Sequence, residues 1–264
     1  GAPSVPPFTP NAGGIAATIF NGTINSALTG GATVRITTDT GNADPLQQGT
    51  GAGNIDVQAN ITGVGSSTLE LVAAGNITLQ NNVAISTAVG FTLNLTMLAN
   101  DQNSTQNDPD SAAGNVIFNA NSSVNTRGGT FSAAGEAITL NGSITTGNGA
   151  ASLTANSGAI AVNNLISVGN GTVSLTATNG SITDSGSGAI TAAGLKMVAN
   201  TGATLDLTTH NVDTVAGNIA GTGNFVYVDT DGFDVGSVGG TVGITTNDGN
   251  ISLKATTNDL NVAQ

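Results

Sequence analysis

The side chains able to do chemistry gather in the last third of the chain: Asp184, Asp206, the lone His210, Asp213, Asp229, Asp231 and Asp234. Asp184 stands where neighbouring segments place an apolar Leu or Val, and Asp206 follows one repeat later. Carboxylates stacked about 5 Å apart repel, so they need full solvation, a raised pKa in one partner, or a cation. Three chemistries fit: a calcium or sugar-acid site, paired-carboxylate cleavage of a glycan centred on Asp184 and Asp206, or an acidic face that only keeps the surface wet. In the segment that carries Asp206 the apolar pair slips by one residue to Leu205 and Leu207, which predicts an outward Asp206. Asp229-Thr230-Asp231-Gly232-Phe233-Asp234 begins like a calcium loop, but it lacks the closing Glu and flanking helices of an EF-hand. Asp184, Asp206, Asp229, Asp231 and Asp234 are therefore the metal candidates, with calcium the only cofactor considered and no catalytic residue assigned.

Other chemistries find few residues to work with. The chain has no cysteine and one histidine, so thiolate metal sites and Cys-His nucleophiles are excluded. Four basic residues against a net charge of -12 leave nucleic acid no electrostatic footprint. The most apolar stretch, Val89 to Leu98, is interrupted by Gly90, Thr92, Asn94 and Thr96, so no membrane insertion is expected. The chain starts at Gly1, which reads as a processed end or an excised fragment.

The elements that must position these residues follow from a repeat. Gly53-Asn54-Ile55-Asp56-Val57, Gly75-Asn76-Ile77-Thr78-Leu79, Gly114-Asn115-Val116-Ile117-Phe118, Gly158-Ala159-Ile160-Ala161-Val162 and Gly249-Asn250-Ile251-Ser252-Leu253 are versions of one template. The basic interval is about 22 residues, a period that marks a solenoid of equivalent coils. Within each coil the apolar residues alternate, the period of a strand with one buried face. Ile160 and Val162, Ile166 and Val168, then Val173 and Leu175 give three short strands to a turn, hence a triangular coil. Corners such as Thr146-Gly147-Asn148-Gly149 hold residues that tolerate left-handed backbone. No 3.6-residue pattern persists over a dozen positions, so an all-β chain is expected. Asn54 and Asn76 share a column in which amides can hydrogen-bond along the rod axis. Asn-x-Ser/Thr triplets, among them those at Asn76, Asn141 and Asn250, are permissive for glycosylation and are also what Asn-rich corners beside Thr-rich strands produce.

Two domains are expected. Residues 1–30 form a Pro/Gly-rich amino-terminal arm or irregular first coil, with Pro3, Pro6, Pro7 and Pro10 at its start and Ile15 to Asn25 able to pair as strand. Residues 31–264 form a parallel β-helix, with an acidic, amide-rich loop inserted at 97–113.

The stretch Gly135-Glu136-Ala137-Ile138-Thr139-Leu140-Asn141-Gly142-Ser143-Ile144-Thr145-Thr146-Gly147-Asn148-Gly149, with Ala151 to Ile160 after it, resembles the repeats of filamentous-haemagglutinin-type bacterial exoproteins. The likeness spans roughly Gly53 to Val262. It implies a right-handed, single-stranded parallel β-helix exported to the bacterial cell surface or beyond, serving as an adhesin, biofilm fibre or delivery stalk. The Asn-Pro-Asn-Gly-type signature of that family's secretion domain is missing, so the resemblance is to a shaft segment.

The expected function is a surface-exposed β-helical shaft of a bacterial adhesin or extracellular fibre, mediating attachment or filament formation, with a host or matrix glycan or protein as partner. The alternative is a β-helix polysaccharide lyase or hydrolase built on the acidic patch. An ice-binding reading wants an ordered column of Thr-x-Thr, which is not seen. Asp259-Leu260-Asn261-Val262 is a strand pattern with no cap after it, and open edges template pairing. Self-association, or continuation of a longer chain, is accordingly expected, with Leu260 and Val262 at one end and Ile15 and Ile19 at the other in a head-to-tail stack.

Overall fold

The protein's structure, a computed structural model, describes residues 18–38, 53–99 and 114–262. It is a parallel β-solenoid of about 8 turns. One wall is a nine-stranded sheet that runs from Ile55–Val57 through Ile77–Leu79, Val116–Phe118, Ile138–Leu140, Ile160–Val162, Ser181–Asp184, Gly202–Leu205 and Phe225–Asp229 to Ile251–Ala255. A 15-stranded sheet supplies the remaining walls. It is continuous because long strands such as Leu165–Ala177 bend through a corner, with register shifts at Gly169.

Alternation decides which side chains enter the core. In Ile138–Leu140 and Ile160–Val162 the first and third residues are buried and the middle one faces out, as the strand period requires. Each inward residue stacks on its equivalent in the next coil: Leu79 on Phe118, Phe118 on Leu140, Leu140 on Val162. The core is thus a set of aliphatic columns parallel to the rod axis, with Phe118 and Phe131 meeting edge to face at 6.0 Å.

Polar residues between strands form ladders of their own. The Asn54 side-chain oxygen accepts the Asn76 amide at 2.7 Å, Asn76 accepts that of Asn115 at 2.7 Å, and Asn115 accepts that of Ala137 at 3.0 Å. The expected amide column therefore exists, and it satisfies backbone donors at a corner where strand pairing lapses. Buried Thr126 and Thr146 do the same within a coil, their hydroxyls donating to the carbonyls of Gly129 and Gly149. At the stacked corners a Cβ on Gly149 would collide with the Gly129 carbonyl, so glycine is demanded there by close approach of successive coils. Asn82, Asn121 and Asn148 take the left-handed conformation at other corners.

Two expectations need correction. Residues Asn21–Thr29 form an α-helix, where strand pairing up to Asn25 was expected. Ile24 and Leu28 lie one turn apart and seat on the end of the core, too short a pattern to register over a dozen positions. Two of the helix's asparagines also serve the first coil's exposed edge: Asn25 accepts the Thr62 amide at 2.8 Å and Asn21 donates to the Asn60 carbonyl at 3.0 Å. Second, Met97 to Ala99 do not belong to the insertion. They complete the strand Leu93–Ala99, where Met97 stacks between Leu71 and Ala133, and only residues 100–113 remain for the loop, outside the described residues. The expected interval of about 22 residues holds, with local variation: Ala192 pairs with Val212 and Gly217 with Ile244, shorter and longer than 22 residues. The longer coil contains a hairpin, Ser237–Val238 with Thr241–Val242, whose Val238 packs against Gly194.

The helix makes a measurable demand. Leu28 is fully buried, so Leu28→Ala should cost about 2–4 kcal/mol, the range for emptying a packed leucine site. Amide exchange should accelerate first in Ile61–Gly63, which the helix covers, and little in Ile138–Leu140.

Candidate functional site

Asp184, His210, Tyr227 and Asp229 form a buried polar cluster at the turn between two walls. Asp184 ends its strand in the inward column, paired with Val162. Its side chain is 1% exposed and that of His210 0%. The Asp184 Oδ2 lies 2.7 Å from His210 Nε2 and accepts the Leu207 amide at 3.1 Å, while Oδ1 accepts the Asp206 amide at 3.3 Å. On the far side of the ring, Nδ1 accepts the Ile190 amide at 3.0 Å. A nitrogen that accepts an N–H carries no proton, so the ring's proton sits on Nε2 and is donated to Asp184.

The second half of the cluster lies one coil on. The Tyr227 ring packs at 5.8 Å from His210 and edge to face against Phe233 at 4.9 Å. Its hydroxyl donates to Asp229 Oδ2 at 2.6 Å; the same oxygen accepts the Val212 amide at 3.1 Å, and Oδ1 accepts the Asp231 amide at 3.1 Å. Asp229 is fully buried.

The two carboxyls sit in opposite electrostatic situations. Burial is the largest influence on both and pushes both upward. At Asp184 the His210 hydrogen bond and the Leu207 and Asp206 amides together outweigh it, and the carboxyl is held below its ordinary value. At Asp229 burial prevails over the donors, and the carboxyl is raised. Burial, followed by the hydrogen bond to Asp229, drives the Tyr227 hydroxyl upward as well.

The expected acidic face is thereby divided. Asp206 is exposed, as the slipped register requires, because Ile182 and Thr183 pair with Ala203 and Thr204 and carry Leu205 inward. Asp213 and Asp234 are exposed too. Asp184 and Asp229, by contrast, are interior, which overturns the solvated-face reading for these two. Asp231 caps its own turn through the Gly232 amide at 2.8 Å, and Asp234 accepts the Asn261 side-chain amide at 3.0 Å. Among the described residues no three of His, Asp and Glu converge in a way that would hold a metal ion. Tyr227 is the member that sequence reasoning missed. Its signal was the alternation Tyr227-x-Asp229, which sends the chain's single tyrosine to the same interior face as a carboxylate.

At the far end, Leu260 is partly buried and Val262 71% exposed in the last described coil. Ile19 packs against the core beside the helix, and Ile15 lies outside the described residues. The Asn21–Thr29 helix covers the apolar core at that end, so strand-to-strand stacking there meets a helix.

Comparison with known protein families, with curated proteins and with solved structures finds no match. The arrangement itself indicates what the cluster does. Both imidazole nitrogens are engaged, and both carboxylates are enclosed by backbone amides, so none of these groups faces solvent to meet a substrate. They hold the turn 206–210 in place. Asp184→Ala should therefore cost about 3–5 kcal/mol, as expected when one partner of a buried pair is removed. Asp206→Ala should leave the denaturant midpoint unchanged within error. Equal effects at both positions would contradict the assignment.

Proposed function

We propose that this chain is a structural shaft, a β-helical segment of a surface-exposed bacterial adhesin or extracellular fibre. One observation carries the reading: the polar groups along the rod are spent on the rod itself. Asparagine ladders, threonine corners and the Asp184–His210 pair all satisfy backbone groups of the same or an adjoining coil. The resemblance of the Gly135 to Ile160 repeats to filamentous-haemagglutinin-type proteins supports a location outside the bacterial cell and a host or matrix glycan or protein as partner.

At the carboxyl-proximal end Ile251 is 47% and Val262 71% exposed, on strands whose outer edges are unpaired among the described residues. A further coil, from the same polypeptide or from a second copy, would cover them. The polysaccharide-cleaving alternative would have to work with an enclosed Asp184 and an exposed Asp206 that meets it through its backbone amide.

Electron microscopy of the purified chain over a concentration series tests the proposal. Thin rods, together with adherence conferred on a non-adherent bacterium that displays the chain, are expected. Globular particles, or depolymerisation of any member of a glycan panel that Asp184→Ala abolishes, would refute it.

A further inference from the structure

Among the described residues, the middle of the rod has no ionisable group in its core, whereas the coils from Asp184 to Asp229 contain several. We propose that the Asp184–His210 pair is an acid-opened latch, which pins the turn 206–210 onto the strand Ala189–Ala199 at neutral pH and releases it on acidification.

The geometry makes the turn's attachment depend on two proton-accepting positions. Asp184 receives three donors: the imidazole Nε2–H and the amides of Asp206 and Leu207. Protonating this carboxylate removes the charge that holds all three and puts a hydroxyl where an acceptor stood. The second position is Nδ1. A proton added there would point at the Ile190 amide, a donor facing a donor, and the ring, with no exposed surface, would have to move to relieve it. Both events loosen the same turn, whose other anchors are the Thr209 hydroxyl on the Gly188 carbonyl at 2.5 Å and the Thr230 amide on the His210 carbonyl at 2.7 Å.

The groups around the ring set the direction. From Ser181–Asp184 comes Asp184; from Ala189–Ala199 only the Ile190 amide, since Lys196 lies outside the buried core; from Phe225–Asp229 come Tyr227 against the ring and Asp229 beyond it, with Asp231 following. On the turn itself Asp206 is exposed. Asp184 is depressed in the folded state, so its stabilisation is present above the ordinary carboxylate range and is lost as pH falls through the folded value. Asp229 is raised, so its ionised form weakens the fold and its protonation, on the way down, relieves that cost. Opening is thus driven from the Ile190 and Leu207 side, since protonation of Asp229 does not oppose the fold.

This proposal stands whether or not the rod is an adhesin, and its test reads neither rods nor adherence. Amide exchange of the intact chain, followed by NMR at pH 7 and at steps down to below the ordinary carboxylate range and corrected for intrinsic rates, is the measurement. Protection at Ile190, Asp206 and Leu207 should fall by at least about tenfold, the effect of a single unit of pKa coupling, while Ile138 and Ile160, in coils whose cores hold no ionisable group, keep theirs. Asp184→Asn, which retains an oxygen acceptor but takes up no proton, should flatten much of that dependence. His210→Asn, with an amide oxygen near the place of Nδ1, should flatten the Ile190 response. Unchanged protection at these amides in the unsubstituted chain would overturn the latch, and so would an undiminished pH response in both variants. The first outcome needs no variant to fold.

Discussion

Everything in this molecule depends on one constraint: the backbone groups of each strand are satisfied by the coil before and the coil after. A parallel strand cannot close its own hydrogen bonds, so each coil must present its donors and acceptors in the same plane and direction as its neighbours. Equivalence of position then becomes equivalence of residue. Inward sites stack into columns such as Leu79, Phe118, Leu140 and Val162, and corners stack glycine on glycine because a side chain at Gly149 would strike the carbonyl one coil below. Low charge follows from the same requirement. A column repeats its residue type along the rod, and stacked like charges would repel, whereas stacked amides and hydroxyls bond.

This constraint is why so much of the fold could be read from the chain. Alternation in Ile138-x-Leu140 and Ile160-x-Val162 has a single solution once the interval is known, and the Asn54–Asn76 ladder follows from two asparagines in one column. What escaped was what the repeat does not govern. Ile24 and Leu28 make only two contacts of a helical pattern, and their meaning comes from the open core end beneath them, a tertiary fact. Met97 and Leu98 were lost to the inserted loop because an insertion erases the spacing that would have assigned them, although Met97 alternates correctly with Leu95.

The candidate site was half legible for a related reason. A carboxylate in an aliphatic column, Asp184 after Val162, is visible as a violation of pattern, and the slip to Leu205 correctly predicts that Asp206 turns outward. Whether the violation binds a cation, a substrate or the protein itself depends on what else enters the interior. That was decided by His210, which lies on a turn where no periodicity operates, and by Tyr227, whose hydroxyl makes sense only beside Asp229. Interior polar groups are visible one at a time in sequence; their partners are set by stacking.

The cost of burying Asp184 and His210 is best understood from what the turn would otherwise lack. After Leu205 the wall ends and the chain leaves the ladder for residues 206–210, so the amides of Asp206 and Leu207 have no strand carbonyl to reach. An aliphatic residue at Asp184, as in the preceding coil, would leave the part-buried Leu207 amide unpaired at the edge of the core, a penalty of about 1–3 kcal/mol, and the exposed Asp206 amide to water. The carboxylate supplies acceptors where the coil shortens, and the imidazole carries the connection on to the Ile190 amide of the next strand. The polar cluster is thus the local substitute for the ladder at the place where the repeat changes length. Asparagines do this work elsewhere along the rod, but the Asp184–His210 pair is ionisable, and for that reason it is the part of the ladder that pH can act on.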